Sequence, residues 1–161
     1  PQGSFQTTGL DSIEFLVSAN PGQPLKPLVK VASGGELSRI SLAIQMMAAQ
    51  KVTLPALIFD EVDTGIGGAI AEVVGKQLRA LGTTRQVLCV THLPQVASQA
   101  HQQYKVTKIK RFEHTSTGIE HLTPPQRVEE IARMIGGMEI TTATRALAGE
   151  MLTVSTRQNR A

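Results

Sequence analysis

Two carboxylates stand side by side at the end of an apolar run in "ALIFDE": Asp60 and Glu61. Desolvating unpaired carboxylates is costly, so such a pair calls for a cation or a proton. A Mg²⁺ ion held by Asp60 and by substrate phosphates would meet that need. Glu61 could then orient or deprotonate a water. The plainer reading is two acids exposed in a loop. A second apolar run, "QVLCV", is followed by Thr91 and His92. If the two runs are neighbouring strands, His92 lies on the same sheet edge as Asp60 and could bond a phosphate oxygen or position a water. It could equally cap a helix beginning near Pro94.

A third stretch, "VASGGELSRISLAIQ", carries Ser33 and Glu36 in the S-x-x-E capping-box pattern. That pattern does not account for Gly34 and Gly35, since each glycine weakens a helix by about 1 kcal/mol relative to alanine. A helix N-terminus is an anion site, and glycines let a phosphate approach the backbone. Ser33 could cap the helix or bond a phosphate oxygen. In "EVDTGIGG", Asp63 could cap the following helix or bridge a subunit contact, and Gly65, Gly67 and Gly68 read as turn residues.

Other candidates carry less. Gly75–Lys76 imitates the end of a phosphate loop, but Gln77 stands where Ser or Thr is required and Ile70 where the first glycine is required. The basic cluster Lys105, Lys108, Lys110 and Arg111 reads either as protection of an edge strand or as a contact for a nucleic-acid backbone. The four histidines lack metal-ligand spacing, and His101, His114 and His121 read as surface residues. The single cysteine, Cys89, reads as a buried strand residue and fits a reducing compartment.

The elements that must position these residues emerge from periodicity and punctuation. "IEFLVS" (13–18) reads as a strand and "ANPGQPLKP" as a loop. From Gly34 to about Gln50, Leu37, Ile40, Ile44 and Met47 recur at helical spacing. "ALIFD" has the continuous apolar character of a buried parallel strand. A helix comes next over 69–81, with Ile70, Val74, Leu78 and Leu81 on one face and Gly82 at the cap position. "QVLCV" is the next strand, then come a turn and a short helix from Pro94. "QYKVTKIKRF" alternates as an edge strand, with "GIEHLT" as hairpin partner. Helices over 124–137 and 141–152 complete the chain; the first is bracketed by Pro124–Pro125 and Gly136–Gly137. The strand–helix alternation in the middle predicts an α/β fold, a mainly parallel sheet with flanking helices. Ligands of such sheets sit at the carboxyl ends of the strands.

Composition sets the class. The chain has 161 residues, 41% of them hydrophobic and 18% charged, with a net charge of +3. That describes one globular domain over 1–161, mildly basic, with apolar runs too short for a membrane span and no signal peptide. Aromatics are scarce, four Phe and one Tyr, which argues against a base-stacking platform. The chain begins at Pro1 and reads as a processed, excised or cloned piece.

Taken in order, "ASGGELSRISLAIQ", "ALIFDEVDTGIG" and "VTHLPQVA" resemble the C-terminal lobe of an ABC-type ATPase head of the SMC-like branch. Together with "NPGQPLKPLVKVASGGELSRISLAIQ" and "EEIARMIGGMEITTATRALAGEML", the match is closest to the RecN family of bacterial DNA-repair proteins, and it covers nearly the whole chain. The resemblance implies a signature motif at Ser33, Gly34, Gly35 and Glu36 that contacts the γ-phosphate of ATP held by an opposite head. It implies a Walker B motif, with Asp60 on the Mg²⁺ side and Glu61 polarising the attacking water. It also implies a D-loop whose Asp63 acts across the dimer interface, and a switch histidine, His92.

The implied cofactors are ATP and Mg²⁺. The implied partners are an N-terminal lobe, a second head and DNA, in the bacterial cytoplasm at the nucleoid and away from membranes. The Walker A loop and the Q-loop glutamine belong, in that family, to an N-terminal lobe that leads into a coiled-coil arm. This chain corresponds to the segment after the arm and is expected to be inactive alone. The competing readings are a transporter's nucleotide-binding lobe, which shares the motifs, and a non-catalytic module for dimerisation or DNA binding.

Overall fold

The computed structural model describes residues 9, 13–18, 22–30, 34–51, 54–60, 63–111, 114–137 and 139–157. Two candidate residues, Ser33 and Glu61, lie outside them, as does the Ser33–Glu36 capping box. Strand β1 (Leu16–Val17) pairs antiparallel with β2 (Lys26–Pro27), and a 3-10 turn comes next over Leu28–Lys30. Helix α1 spans Gly34–Lys51, β3 Ala56–Phe59, α2 Gly68–Leu81 and β4 Gln86–Cys89. The short helix α3 (Pro94–Ala97) leads to the hairpin β5 (Tyr104–Arg111) and β6 (His114–His121), then to α4 (Pro124–Gly136) and α5 (Thr142–Arg157).

The expected parallel pairing holds for β3 and β4, joined by the α2 crossover, with Ala56 opposite Gln86 and Phe59 opposite Cys89. It goes no further among the described residues: β1 belongs to its own antiparallel ribbon, and β5 pairs only with β6. The two strands are close in sequence, and Leu28 N–H closes the ribbon on Phe15 O at 2.8 Å.

One face of the β3/β4 pair carries the main core. Phe59 packs with Ala71, Val74, Leu78 and Leu81 of α2, Leu42, Met46 and Ala49 of α1, and Val96 of α3, with Leu57, Val87 and Cys89 half-buried against them. Each fully buried aliphatic side chain contributes about 1.5–3 kcal/mol. The opposite face is bare: Ile58 is 73% exposed and its register partner Leu88 is 47% exposed. This corrects the expectation of strands buried on both sides.

Helix α1 also differs from expectation. Leu37, Ile44 and Met47 are exposed, and the buried stripe is Leu42, Met46 and Ala49. The helix is apolar on two faces, so periodicity alone could not choose between them. Arg85 fixes the choice, donating to Ala49 O at 2.7 Å. In α2 the expected face is buried from Val74 onward, whereas Ile70 is exposed.

A second core joins α4 and α5 through Ile131, Ala132 and Ala148, with Ala97 of α3 at its edge. Helix α4 starts at the predicted prolines. Gln126 Oε1 accepts the Thr123 N–H at 2.8 Å and the Thr123 hydroxyl at 2.7 Å. The hairpin is clamped to α4 by Glu130, buried and paired with Lys105 and Arg133, each at 2.6 Å. Lys105 therefore has a structural partner, a role that neither reading of the basic cluster included.

Candidate functional site

The in-register parallel pair decides where the polar residues go. Val90 N–H bonds Phe59 O at 2.9 Å, which carries the ladder one residue past the strands. Asp60 leaves the end of β3, and Thr91 and His92 leave the end of β4, at the same carboxyl edge. The condition placed on His92 by the sequence, that the two strands be neighbours, is met. Asp60 is exposed at this edge.

Asp63 turns inward and is 3% exposed. Its Oδ2 accepts the Thr91 hydroxyl, the His92 N–H at 2.7 Å and the Leu93 N–H at 3.2 Å, and lies 3.1 Å from His92 Nδ1. Thr91 Oγ1 in turn accepts the Leu93 N–H at 3.1 Å. The carboxylate thus organises the turn between β4 and α3, where Leu93 is the helix N-cap without a side-chain cap of its own. It does not cap α2, one of the roles the sequence allowed. Burial by itself would raise the pKa of Asp63, but the bonds from Thr91 and His92 outweigh it and hold the carboxyl below its usual range.

In the segment that turns Asp63 inward, Ile66 N–H closes a turn on Asp63 O at 3.2 Å and Gly65 takes a positive φ of 76° as a turn residue; Gly67 and Gly68, also expected in the turn, are instead the N-cap and the first residue of α2. The imidazole of His92 is 74% exposed although its Nδ1 lies near the Asp63 carboxylate. At the start of α1, Gly34, Gly35 and Glu36 form the first helical turn.

The edge is electronegative. Burial, then the charges of Asp63 and Asp60, pushes the Cys89 thiol up to about 12. That field suits a cation. Among the described residues no group of three His, Cys, Asp or Glu could enclose a metal ion. A single exposed carboxylate fits Mg²⁺ better than a protein-caged ion, because Mg²⁺ keeps several waters and is held by one or two carboxylates together with phosphates. Sequence reasoning missed Thr91 as part of the site; its hydroxyl, directly after a buried strand, was the available signal.

No family model matches the chain. It is 59% identical over 144 residues to the DNA repair protein RecN of Vibrio cholerae serotype O1, covering 89% of this chain and 26% of that protein. It is 43% identical over 152 residues to RecN of Halalkalibacterium halodurans, covering 94% of this chain and 27% of that protein. RecN of Bacillus subtilis is 44% identical over 144 residues, covering 89% and 25%. Among solved structures, the fold is similar to one from a study of ATP-driven dimerization and DNA-stimulated activation of SMC ATPases. That match has a TM-score of 0.60 at 18% identity and covers 77% of this chain and 81% of the other. The chain spans about a quarter of the length of the curated relatives it matches, and it belongs to the RecN family.

Proposed function

We propose that the chain is the C-terminal half of an ATP-hydrolysing SMC-like head that pairs with a second head around ATP in DNA double-strand break repair. The observation that carries this reading is the parallel register of β3 and β4, with Asp60 and His92 leaving one sheet edge. Kinship with RecN proteins supports the DNA-repair setting, and in that setting the protein works in the bacterial cytoplasm, at the nucleoid. No described helix is long and apolar enough to cross a membrane.

In this reading Asp60 holds the Mg²⁺ that accompanies ATP, and bound Mg²⁺ neutralises charge developing on the phosphates. Glu61 orients the attacking water and accepts its proton. His92 presents its imidazole to the γ-phosphate from the neighbouring strand end. Ser33, Gly34, Gly35 and Glu36 lie at the start of α1, whose N–H groups would meet the γ-phosphate of the opposite head. The bare Ile58–Leu88 face is where the N-terminal lobe, with its phosphate loop, would pack. The chain alone lacks that loop and would not hydrolyse ATP.

The test is Mg²⁺-dependent ATP hydrolysis by this chain alone and in the full-length protein, with and without Glu61→Gln. Turnover only in the full-length protein, abolished by Glu61→Gln while ATP-dependent head pairing persists, is the expected result. Unchanged turnover in the variant would refute the role of Glu61. A folded full-length protein that neither binds nor hydrolyses ATP would refute the ATPase reading and favour a non-catalytic interaction module.

A further inference from the structure

The geometry points to Asp63 as a positioning residue that fixes which nitrogen of His92 is offered to a ligand. The inference rests on the reading of His92 as the group that meets the γ-phosphate. It gives Asp63 a task within its own chain, distinct from the contact across a dimer interface that the family resemblance implies.

A carboxylate 3% exposed must find donors. Asp63 Oδ2 finds three hydrogen bonds, and all come from the residues just beyond β4: Thr91, His92 and Leu93. His92 is held by its backbone N–H at 2.7 Å, and its ring Nδ1 lies 3.1 Å from Oδ2, at ion-pair distance. A carboxylate oxygen this close repels a lone pair on Nδ1, so the charge of Asp63 favours the form that carries its hydrogen there. This is so whether the imidazole is neutral or protonated. Nε2, across the ring from Nδ1, is then the nitrogen free to meet a phosphate oxygen.

The two ends of the tether differ in the way a positioning pair requires. The Asp63 side chain is 2% exposed and that of His92 is 74% exposed. The anchor is fixed in the protein, and the working nitrogen is left at the surface. In metal sites, partners that orient a histidine through its second nitrogen affect affinity or activity about 10- to 100-fold, and the same scale is expected here. Asp63 also lies only three residues beyond Asp60. Displacement of residues 63–65 would therefore reach His92 through one oxygen atom, linking the segment after β3 to the group after β4.

The test reads the tautomer directly. Full-length protein, with ¹⁵N-histidine confined to this chain's segment by ligation, is observed by imidazole ¹⁵N–¹H correlation at about pH 8, where an ordinary imidazole is neutral. His92 is assigned from the signal lost in His92→Gln. The expected wild-type spectrum shows the Nδ1–H tautomer, against the preference of a free imidazole for Nε2–H. Asp63→Asn keeps an acceptor oxygen and retains the Nδ1–H form, whereas Asp63→Ala releases it. In steady-state ATPase assays Asp63→Ala lowers kcat about 10- to 100-fold, and the KM for ATP moves far less, because most of the nucleotide's contacts come from the phosphate loop and not from His92.

A wild-type spectrum in which His92 is dominated by Nε2–H overturns the proposal and needs no Asp63 variant to fold. A folded Asp63→Ala protein with an unchanged tautomer overturns it as well. Absence of ATP hydrolysis by the wild-type protein overturns the sensor reading of His92 itself, so the two failures are told apart.

Discussion

Gly75 of α2 lies against Gln99, close enough that a methyl group added at Gly75 would stand 2.8 Å from Gln99 Cγ and 3.2 Å from Gln95 O. The glycine that imitates a phosphate-loop residue is thus a packing residue, and it lets the segment after β4 sit on α2. Gln99 is buried, so it cannot swing into solvent. Alanine would add about 1 kcal/mol of helix propensity, but overpacking costs about 1–3 kcal/mol. Gly75→Ala is expected to destabilise the protein by about 1–2 kcal/mol, read as a lower urea midpoint with an unchanged m-value. A raised midpoint would mean that α3 moves away at little cost.

Glu130 gives a prediction with a pH sign. Burial would raise its pKa, but the bonds from Arg133 and Lys105, and their charges, outweigh burial and lower it. A carboxylate with a lowered folded pKa adds stability above its unfolded pKa, about 4.3. That stability is lost as pH falls through the lower folded value. Glu130→Gln is expected to cost about 1.5–3 kcal/mol near pH 7, the range for hydrogen bonds to charged groups. The difference from wild type should shrink steadily below about pH 4. Denaturant titrations of both proteins across this range check it; a pH-independent difference would assign the effect to shape and not to charge.

Cys89 should resist alkylation. Its thiol is pushed up to about 12 by burial and by the carboxylates Asp63 and Asp60, so almost no thiolate exists at pH 8. Iodoacetamide labelling of the native protein should be at least about tenfold slower than that of the same protein in denaturant. Equal rates would mean that the β4 end opens freely.

The bare strand face should govern association of the isolated chain. Ile58, Leu88 and Val90 are exposed together at β3 and β4, and such surfaces drive assembly. Ile58→Ser combined with Leu88→Ser is expected to reduce concentration-dependent association in sedimentation velocity. The same pair should weaken joining to the N-terminal lobe supplied as a separate chain. Unaltered sedimentation would place the sticky surface elsewhere, for example at Ile13, Val29 and Leu25, which are also exposed.

Much of this architecture was legible in the sequence. Helices α2 and α4 were marked by strong one-sided periodicity and by glycine or proline at their ends. Strands β3 and β4 were marked by short apolar runs, and the hairpin by alternation. What the sequence hid was choice between equivalents. Apolar residues on two sides of α1 left its buried face open. An all-apolar strand looks the same whether one or both faces are covered, so Ile58 and Leu88 read as buried.

The site divided in a similar way. Asp60 and His92 could be placed at the strand ends because polar residues directly after apolar runs are conspicuous. The partners of Asp63 were not, because they lie 28 to 30 residues away and are reached only once the strands pair. Nothing in the sequence marks Glu130, since no local pattern announces that Lys105, on another element, will cover it.

The two-sided apolar character of β3 and β4 bears on alignment. Sliding one strand by a single residue exchanges the side chains that face the core for those that do not. In most sheets that exchange puts polar groups inside and is self-correcting. Here it would trade Phe59 for Ile58, or Cys89 for Leu88, one apolar group for another, so hydrophobicity barely distinguishes the shifted sheet. What a slip does sacrifice is hydrogen bonding at the strand ends, above all the grip of Asp63 on His92 and Leu93. The same carboxylate that aims an imidazole therefore acts as the stop that tells β4 where to halt against β3, and errors of alignment and errors of chemistry would arise together.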